Sequence, residues 1–223
     1  MVEFIKKYRI FFITMGIISV ITLYLFYNAL KPAKTLPIYN PAMVNPELVD
    51  STVQHIGRNH RIADFKFVNQ NGDTITQKNY EGKVYVADFF FTTCPTICPI
   101  MTKNMVDIQD AIVDNDEVLL LSHTVTPDID DVPTLKRYAV ENGVVDSKWN
   151  LVTGAKEDIY EIARKSYLAV KLGKPEEIHD MVHTENFVLV DQYSRVRGFY
   201  DGTKKEDVAR LIEDINWLTQ KYN

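Results

Sequence analysis

The chain is poor in cysteine. Of 223 residues only Cys94 and Cys98 are thiols, so one close pair is all it can offer to redox or soft-metal chemistry. A metal held there must complete its shell with histidine or methionine, because a structural zinc site would want four ligands. The chain also lacks a basic excess. A net charge of −5 and a pI near 5.6 argue against a nucleic-acid face. It has no glycine-rich phosphate loop, which leaves nucleotide chemistry without a seat. No internal repeat or low-complexity tract is present. What is abundant is apolar material, 46% of residues, enough to fill a core.

That material is unevenly placed. Residues 10–30 are apolar except for Thr14, Gly16, Ser19, Thr22 and Asn28. A helix of about 20 such residues spans a bilayer core. Lys6, Lys7 and Arg9 precede the run and Lys31 and Lys34 follow it, a bias toward a cytoplasmic N-terminus. The alternative is a cleaved signal peptide. The stretch is longer than a typical signal core, and Asn28-Ala29-Leu30 lacks a small-x-small site. Both readings put the rest of the chain outside the cytoplasm, where thiols oxidise readily. The expected division is a short cytoplasmic segment (1–9), a transmembrane anchor (10–30), a Pro-rich tether (31–54, with Pro32, Pro37, Pro41 and Pro46) and one globular domain (55–223).

In the domain, alternation over 63–68 predicts a strand, Asn71-Gly72 a hairpin turn and 74–76 the return strand. The apolar run 84–91 reads as a strand buried on both faces, and 117–125 as a second. Helices are predicted over 99–113, 133–141, 156–166 and from about 203 to 218. Further strands are predicted over 149–152, 186–190 and 195–200, the last two antiparallel. Strands alternating with helices imply a mainly parallel sheet. A thiol pair where a core strand meets a helix makes the expected class α/β and thioredoxin-like, a central mixed sheet flanked by helices, with one N-terminal transmembrane helix.

Pro99 sets the chemistry of the pair. Proline favours the first helical position and pushes the residue before it out of helical geometry. Cys98 is therefore expected at the N-cap, where the helix dipole would stabilise its thiolate, with Cys94 in the preceding loop. Three residues separate the cysteines, where thioredoxins have two. That wider ring still permits a disulfide and also lets two sulfurs meet one soft ion such as Cu(I). Of five histidines, His55 and His60 are expected to be solvated. His123, His179 and His183 remain candidates, the last two in a long stretch after Leu172. Asp88 is an odd carboxylate in an apolar strand, able to take protons during exchange or simply hydrogen-bonded. Met101 and Met105 are expected in the core, and Asp128, Asp130 and Asp131 in a solvated loop and helix start.

The run Phe90-Phe91-Thr92-Thr93-Cys94-Pro95-Thr96-Ile97-Cys98-Pro99 closely resembles the CxxxCP signature of the Sco/SenC family. His183-Thr184 followed by Phe187-Val188-Leu189-Val190-Asp191 is similar to that family's ligand histidine and its following strand, at the right spacing. The resemblance covers about residues 55–220. It implies that Cys94, Cys98 and His183 bind copper, and that the chain delivers it to the binuclear copper centre of cytochrome c oxidase, with thiol–disulfide exchange linked or separate. This sequence departs from the family in two places. Thr96 stands where an acidic residue is common between the cysteines, and Thr126-Pro127 stands for the family's Asp-Pro. The competing reading is an enzyme, an extracytoplasmic thiol–disulfide oxidoreductase that reduces a partner's cysteines and needs no histidine. A peroxidase using one cysteine is a third, which so close a second thiol fits less well.

Overall fold

Strand β3 (Val84–Phe90) is buried along its whole length, as a strand covered on both faces must be. In the computed structural model, which describes residues 2–30, 34–169, 171–172, 181–182 and 185–222, it lies near the middle of the sheet. β4 (Val118–Thr124) runs parallel beside it in continuous register from Val84 opposite Val118 to Phe90 opposite Thr124. β5 (Trp149–Thr153) is parallel to β4. β1 (Lys66–Asn69) closes that side antiparallel to β5, and β2 (Thr74–Thr76) pairs back on it. The hairpin turn is where Asn71-Gly72 predicts it, with Gly72 at φ +82°, a conformation glycine adopts without strain. On the other side β8 (Asn186–Val190) and β9 (Val196–Asp201) are antiparallel. The order is β2-β1-β5-β4-β3-β8-β9, the mixed sheet expected from the sequence.

Helices α3 (Cys98–Ile112), α4 (Val132–Glu141), α5 (Lys156–Lys165) and α6 (Lys205–Tyr222) flank the sheet. Each contributes apolar residues at helical spacing to the core, among them Met101, Met105, Ile108, Leu135, Ile159, Leu211 and Ile215. Met101 and Met105 are fully enclosed, as expected. A second, small sheet escaped the sequence. β6 (Lys171–Leu172) and β7 (Met181–Val182) form a small antiparallel ladder within the stretch read as loop, too short to show a period of two.

A separate unit at the N-terminus holds α1 (Val2–Lys7) and α2 (Arg9–Ala29). Helix α2 has 21 residues with a mean hydropathy of 2.2, long and apolar enough to cross a membrane. Its Thr14 and Thr22 hydroxyls donate to the carbonyls of Phe11 and Ile18, so neither is left bare in apolar surroundings.

The domain begins earlier than the tether reading allowed. From Leu36 onward the chain belongs to the same compact unit as the sheet. Arg197 on β9 donates through Nε to the Pro37 carbonyl (2.9 Å) and through Nη2 to the Leu36 carbonyl (2.7 Å). Its Nη1 meets the buried Asp191 carboxylate at 2.8 Å. Tyr39 N–H donates to the Val196 carbonyl and Ile62 N–H to the Ser194 carbonyl. His60, expected to be solvated, is buried, with Nε2 at 2.8 Å from the Ser166 carbonyl. His55 is exposed as expected. Pro41 and Pro46 each open a single 3-10 turn (Pro41–Met43 and Pro46–Leu48), and the backbone at Leu36 and Pro37 offers its carbonyls to a guanidinium fork.

Candidate functional site

β3 delivers the chain into a short turn, and α3 starts at Cys98 with Pro99 in its first turn. The N-cap position is Ile97, so the cap falls one residue earlier than expected. Both cysteines are free thiols and both are buried, Cys94 at 6% exposure and Cys98 at 1%. Their environments differ. Burial alone would raise the Cys94 thiol, but the N–H groups of Cys98 and Thr96, with the Cys98 thiol and Thr96 hydroxyl, outweigh it and hold the thiol below its ordinary range. Burial pushes the Cys98 thiol far up, the Phe91 backbone opposes this, and the nearby Cys94 and Asp88 add to it. The helix start therefore stabilises a thiolate on Cys94, not on Cys98 as the position of Pro99 suggested. The sulfur of Cys94, in the loop before the helix, meets the N–H groups of Thr96 and Cys98, whereas that of Cys98 is enclosed in the core, where burial dominates. A dithiol with one activated, slightly exposed sulfur and one enclosed sulfur can attack a disulfide and then resolve the mixed intermediate. The same two sulfurs suit a soft metal ion.

Asp88, whose charge acts on Cys98, is buried, and its Oδ1 has no hydrogen-bond partner. Burial raises its carboxyl to about 7, against the opposing Ser122 hydroxyl and its own backbone. His123 pairs with Phe89 in the β3–β4 register, one step from Asp88 and Ser122, so it points to the opposite face. There it is fully enclosed by Phe89 (5.0 Å between centroids), Tyr167 (5.2 Å), Phe67 (5.5 Å) and Phe65 (6.3 Å). Neither ring nitrogen has a hydrogen-bond partner. Burial lowers its pKa to about 3, against a weak opposing effect of the Asp88 backbone. The structure thus keeps His123 neutral and away from the thiols. Among the described residues no group of three or more His, Cys, Asp or Glu is gathered to hold a metal ion. His179 and His183, the other histidine candidates, lie outside the described residues.

The acidic run after Pro127 differs from its solvated expectation. Asp131 is exposed and caps α4, accepting from Thr134 N–H at 2.9 Å. Asp130 is fully buried. It accepts from Thr92 Oγ1 (2.5 Å), Thr92 N–H (3.2 Å), Thr126 Oγ1 (3.0 Å) and Thr124 Oγ1. Thr92 is two residues before Cys94, so this carboxylate fastens the thiol loop to the end of β4. The hydroxyl of Thr126, where the family pattern has aspartate, is one of its donors. No sequence pattern marks the member of an acidic run that turns inward. The one available signal is the cluster of threonines at the ends of both core strands.

Residues 53–220 match the family model described as SCO1/SenC. This chain belongs to the SCO1/SenC family. Among solved structures of the family, a SCO1/SenC lipoprotein from Bacillus anthracis is 34% identical, with a TM-score of 0.66, over 72% of this chain and 96% of that one. BsSco is 32% identical with a TM-score of 0.62, over 71% and 92% of the two chains, and is described as carrying a disulfide switch and as a member of the Sco family of cytochrome c oxidase assembly proteins. Arabidopsis thaliana ScoI, crystallised with copper bound, is 27% identical with a TM-score of 0.59, over 72% and 98%. These matches carry the thioredoxin-like Sco fold to this chain.

Proposed function

We propose that this chain is a membrane-tethered copper metallochaperone, in which Cys94, Cys98 and His183 bind copper for delivery to the binuclear copper centre of cytochrome c oxidase. The observation that carries this reading is the thiol pair at the β3–α3 junction, one sulfur favoured as thiolate and the other four residues on, in a family with a copper-bound member. Two thiolates suit Cu(I), and an imidazole completes a three-ligand site open to a partner. Binding requires deprotonated, reduced sulfur, so oxidation of the pair excludes the metal. In this reading residues 10–30 anchor the chain with the domain on the extracytoplasmic side, and residues 1–9 stay in the cytoplasm. The partner is the copper-bearing subunit of the oxidase or another copper or thiol protein.

Metal analysis and chelator competition on the reduced full chain test the proposal. One copper per chain is expected, with binding strongly weakened in Cys94→Ser and His183→Ala. Unchanged stoichiometry and affinity in both variants would sink it. A second reading, thiol–disulfide oxidoreductase, draws on the unequal thiols and on the disulfide switch of BsSco. It expects His183→Ala to keep its reductase rate while Cys94→Ser abolishes it.

A further inference from the structure

We infer that Asp130 is the positioning residue of the thiol centre, acting through Thr92 to fix where the Cys94 sulfur lies. The copper arm of this inference rests on the function proposed above; the redox arm does not.

The two core strands β3 and β4 end side by side, with Phe90 opposite Thr124. Beyond that point the ladder stops, apart from Val125 N–H donating to the Phe90 carbonyl at 2.8 Å. The chain from Phe91 to Ile97 carries Cys94 and is outside any strand or helix. Inside this turn Cys94 N–H donates to the Phe91 carbonyl at 3.3 Å, and its sulfur lies 3.8 Å from the Thr96 hydroxyl and meets the N–H groups of Thr96 and Cys98. These contacts hold it to its own turn and to the first residue of α3. Asp130 supplies the link to β4. It takes both donors of Thr92, backbone and side chain, and joins them to hydroxyls of Thr124 and Thr126. All four groups are donors, so the carboxylate is used purely as an acceptor, and it is fully buried. Hydrogen bonds to a charged acceptor are among the strong ones, and four converging on one group leave little freedom. Thr126 matters for the same reason. A carboxylate there, 3.0 Å from Asp130, would repel it; a hydroxyl donates.

The geometry separates positioning from stability, because Asp131 next door has an ordinary structural task. It caps α4, accepting from Thr134 N–H. Loosening the Cys94 loop lowers the effective concentration of one thiol at the other. The Cys94–Cys98 disulfide should then become easier to reduce, and a ligand set containing both sulfurs should weaken.

The test compares Asp130→Asn, Thr92→Val and Asp131→Asn in the reduced full chain. It measures the Cys94–Cys98 reduction potential by equilibration with a dithiol buffer, and Cu(I) affinity by chelator competition. For Asp130→Asn we expect about a tenfold shift of the dithiol–disulfide equilibrium toward dithiol, about 30 mV more oxidising. Cu(I) binding should weaken by about tenfold. Thr92→Val, which keeps the backbone donor, should move both in the same direction by less. Asp131→Asn, which keeps a side-chain oxygen for the cap, should stay close to wild type in melting temperature and leave both readouts unchanged. Folded Asp130→Asn and Thr92→Val proteins with wild-type potential and affinity would overturn the inference. So would an Asp131→Asn protein shifted as far as Asp130→Asn, since general loosening would then explain the effect. If Asp130→Asn does not fold, Thr92→Val decides. If the wild type binds no copper, the proposed function fails while the potential still decides the role of Asp130.

Discussion

Asp88 and His123 make a paired prediction about stability and pH. Both are enclosed in the core on neighbouring strands, and their titrations are displaced in opposite senses. Burial moves Asp88 from 3.8 to about 7, so the folded state holds its proton more tightly than the unfolded chain does. The stability this group contributes is complete below pH 3.8 and is lost as pH rises to about 7. Three pH units correspond to about 4 kcal/mol. Burial moves His123 from 6.5 to about 3, so the folded state holds its proton less tightly. Its contribution is complete above pH 6.5 and is lost as pH falls to about 3, a loss of about 5 kcal/mol. Between about pH 4 and 6.5 the two slopes oppose one another at about 1.4 kcal/mol per unit, and the wild type gains little pH dependence from either. Substitution should separate them. Asp88→Asn is expected to gain about 4 kcal/mol relative to wild type as pH rises from 4 to 7. His123→Phe, which suits an aromatic cage, is expected to gain about 5 kcal/mol relative to wild type as pH falls from 6.5 to 3. The assay is urea unfolding of reduced, metal-free protein at intervals of one pH unit, with the double variant as a check on additivity. Differences from wild type that stay flat with pH in either single variant would refute the burial argument for that residue.

Three further outcomes follow from the packing. Iodoacetamide at neutral pH should modify Cys94 well before Cys98, read by peptide mass, because Cys94 is the more exposed thiol and the one held below its ordinary range. Arg197→Met should release the segment docked through Leu36 and Pro37 and leave Asp191 with Arg195 as its remaining cation. A cost of about 3–5 kcal/mol is expected, with early proteolysis near residue 40. Gly202→Ala should cost about 1–3 kcal/mol in urea unfolding, because a Cβ there would lie 2.8 Å from the Phe187 ring, which is itself locked in the core.

How much could be read from sequence depended on the range of the interaction that fixed each feature. The strands at 84–90 and 118–124 declare themselves because each is built on an apolar run, interrupted by Asp88 in the first and followed by Ser122-His123-Thr124 in the second. Helix α3 is announced by Pro99 and by Met101, Met105, Ile108 and Ile112 one and two turns apart. The docking of residues 36–54 was illegible for the opposite reason. It depends on the Arg197 guanidinium, about 160 residues away, collecting two carbonyls that carry no side-chain signature. His60 went the same way, since its partner is a backbone carbonyl at Ser166.

The site shows this division at its sharpest. The residue types and spacing of Cys94 and Cys98 were enough to mark the pair and to link it to a family. Which sulfur is the reactive one was not contained in them, because proline fixes backbone dihedrals and says nothing of where the free N–H groups point. That direction depends on Cys94 lying in a turn ahead of the helix, and the turn is fastened through Thr92 to a carboxylate that arrives from the far end of β4. A motif can therefore name the reacting atoms while the fold around it assigns their roles. In this chain the assignment passes through Asp130, a residue that no local pattern separates from the solvated acids beside it.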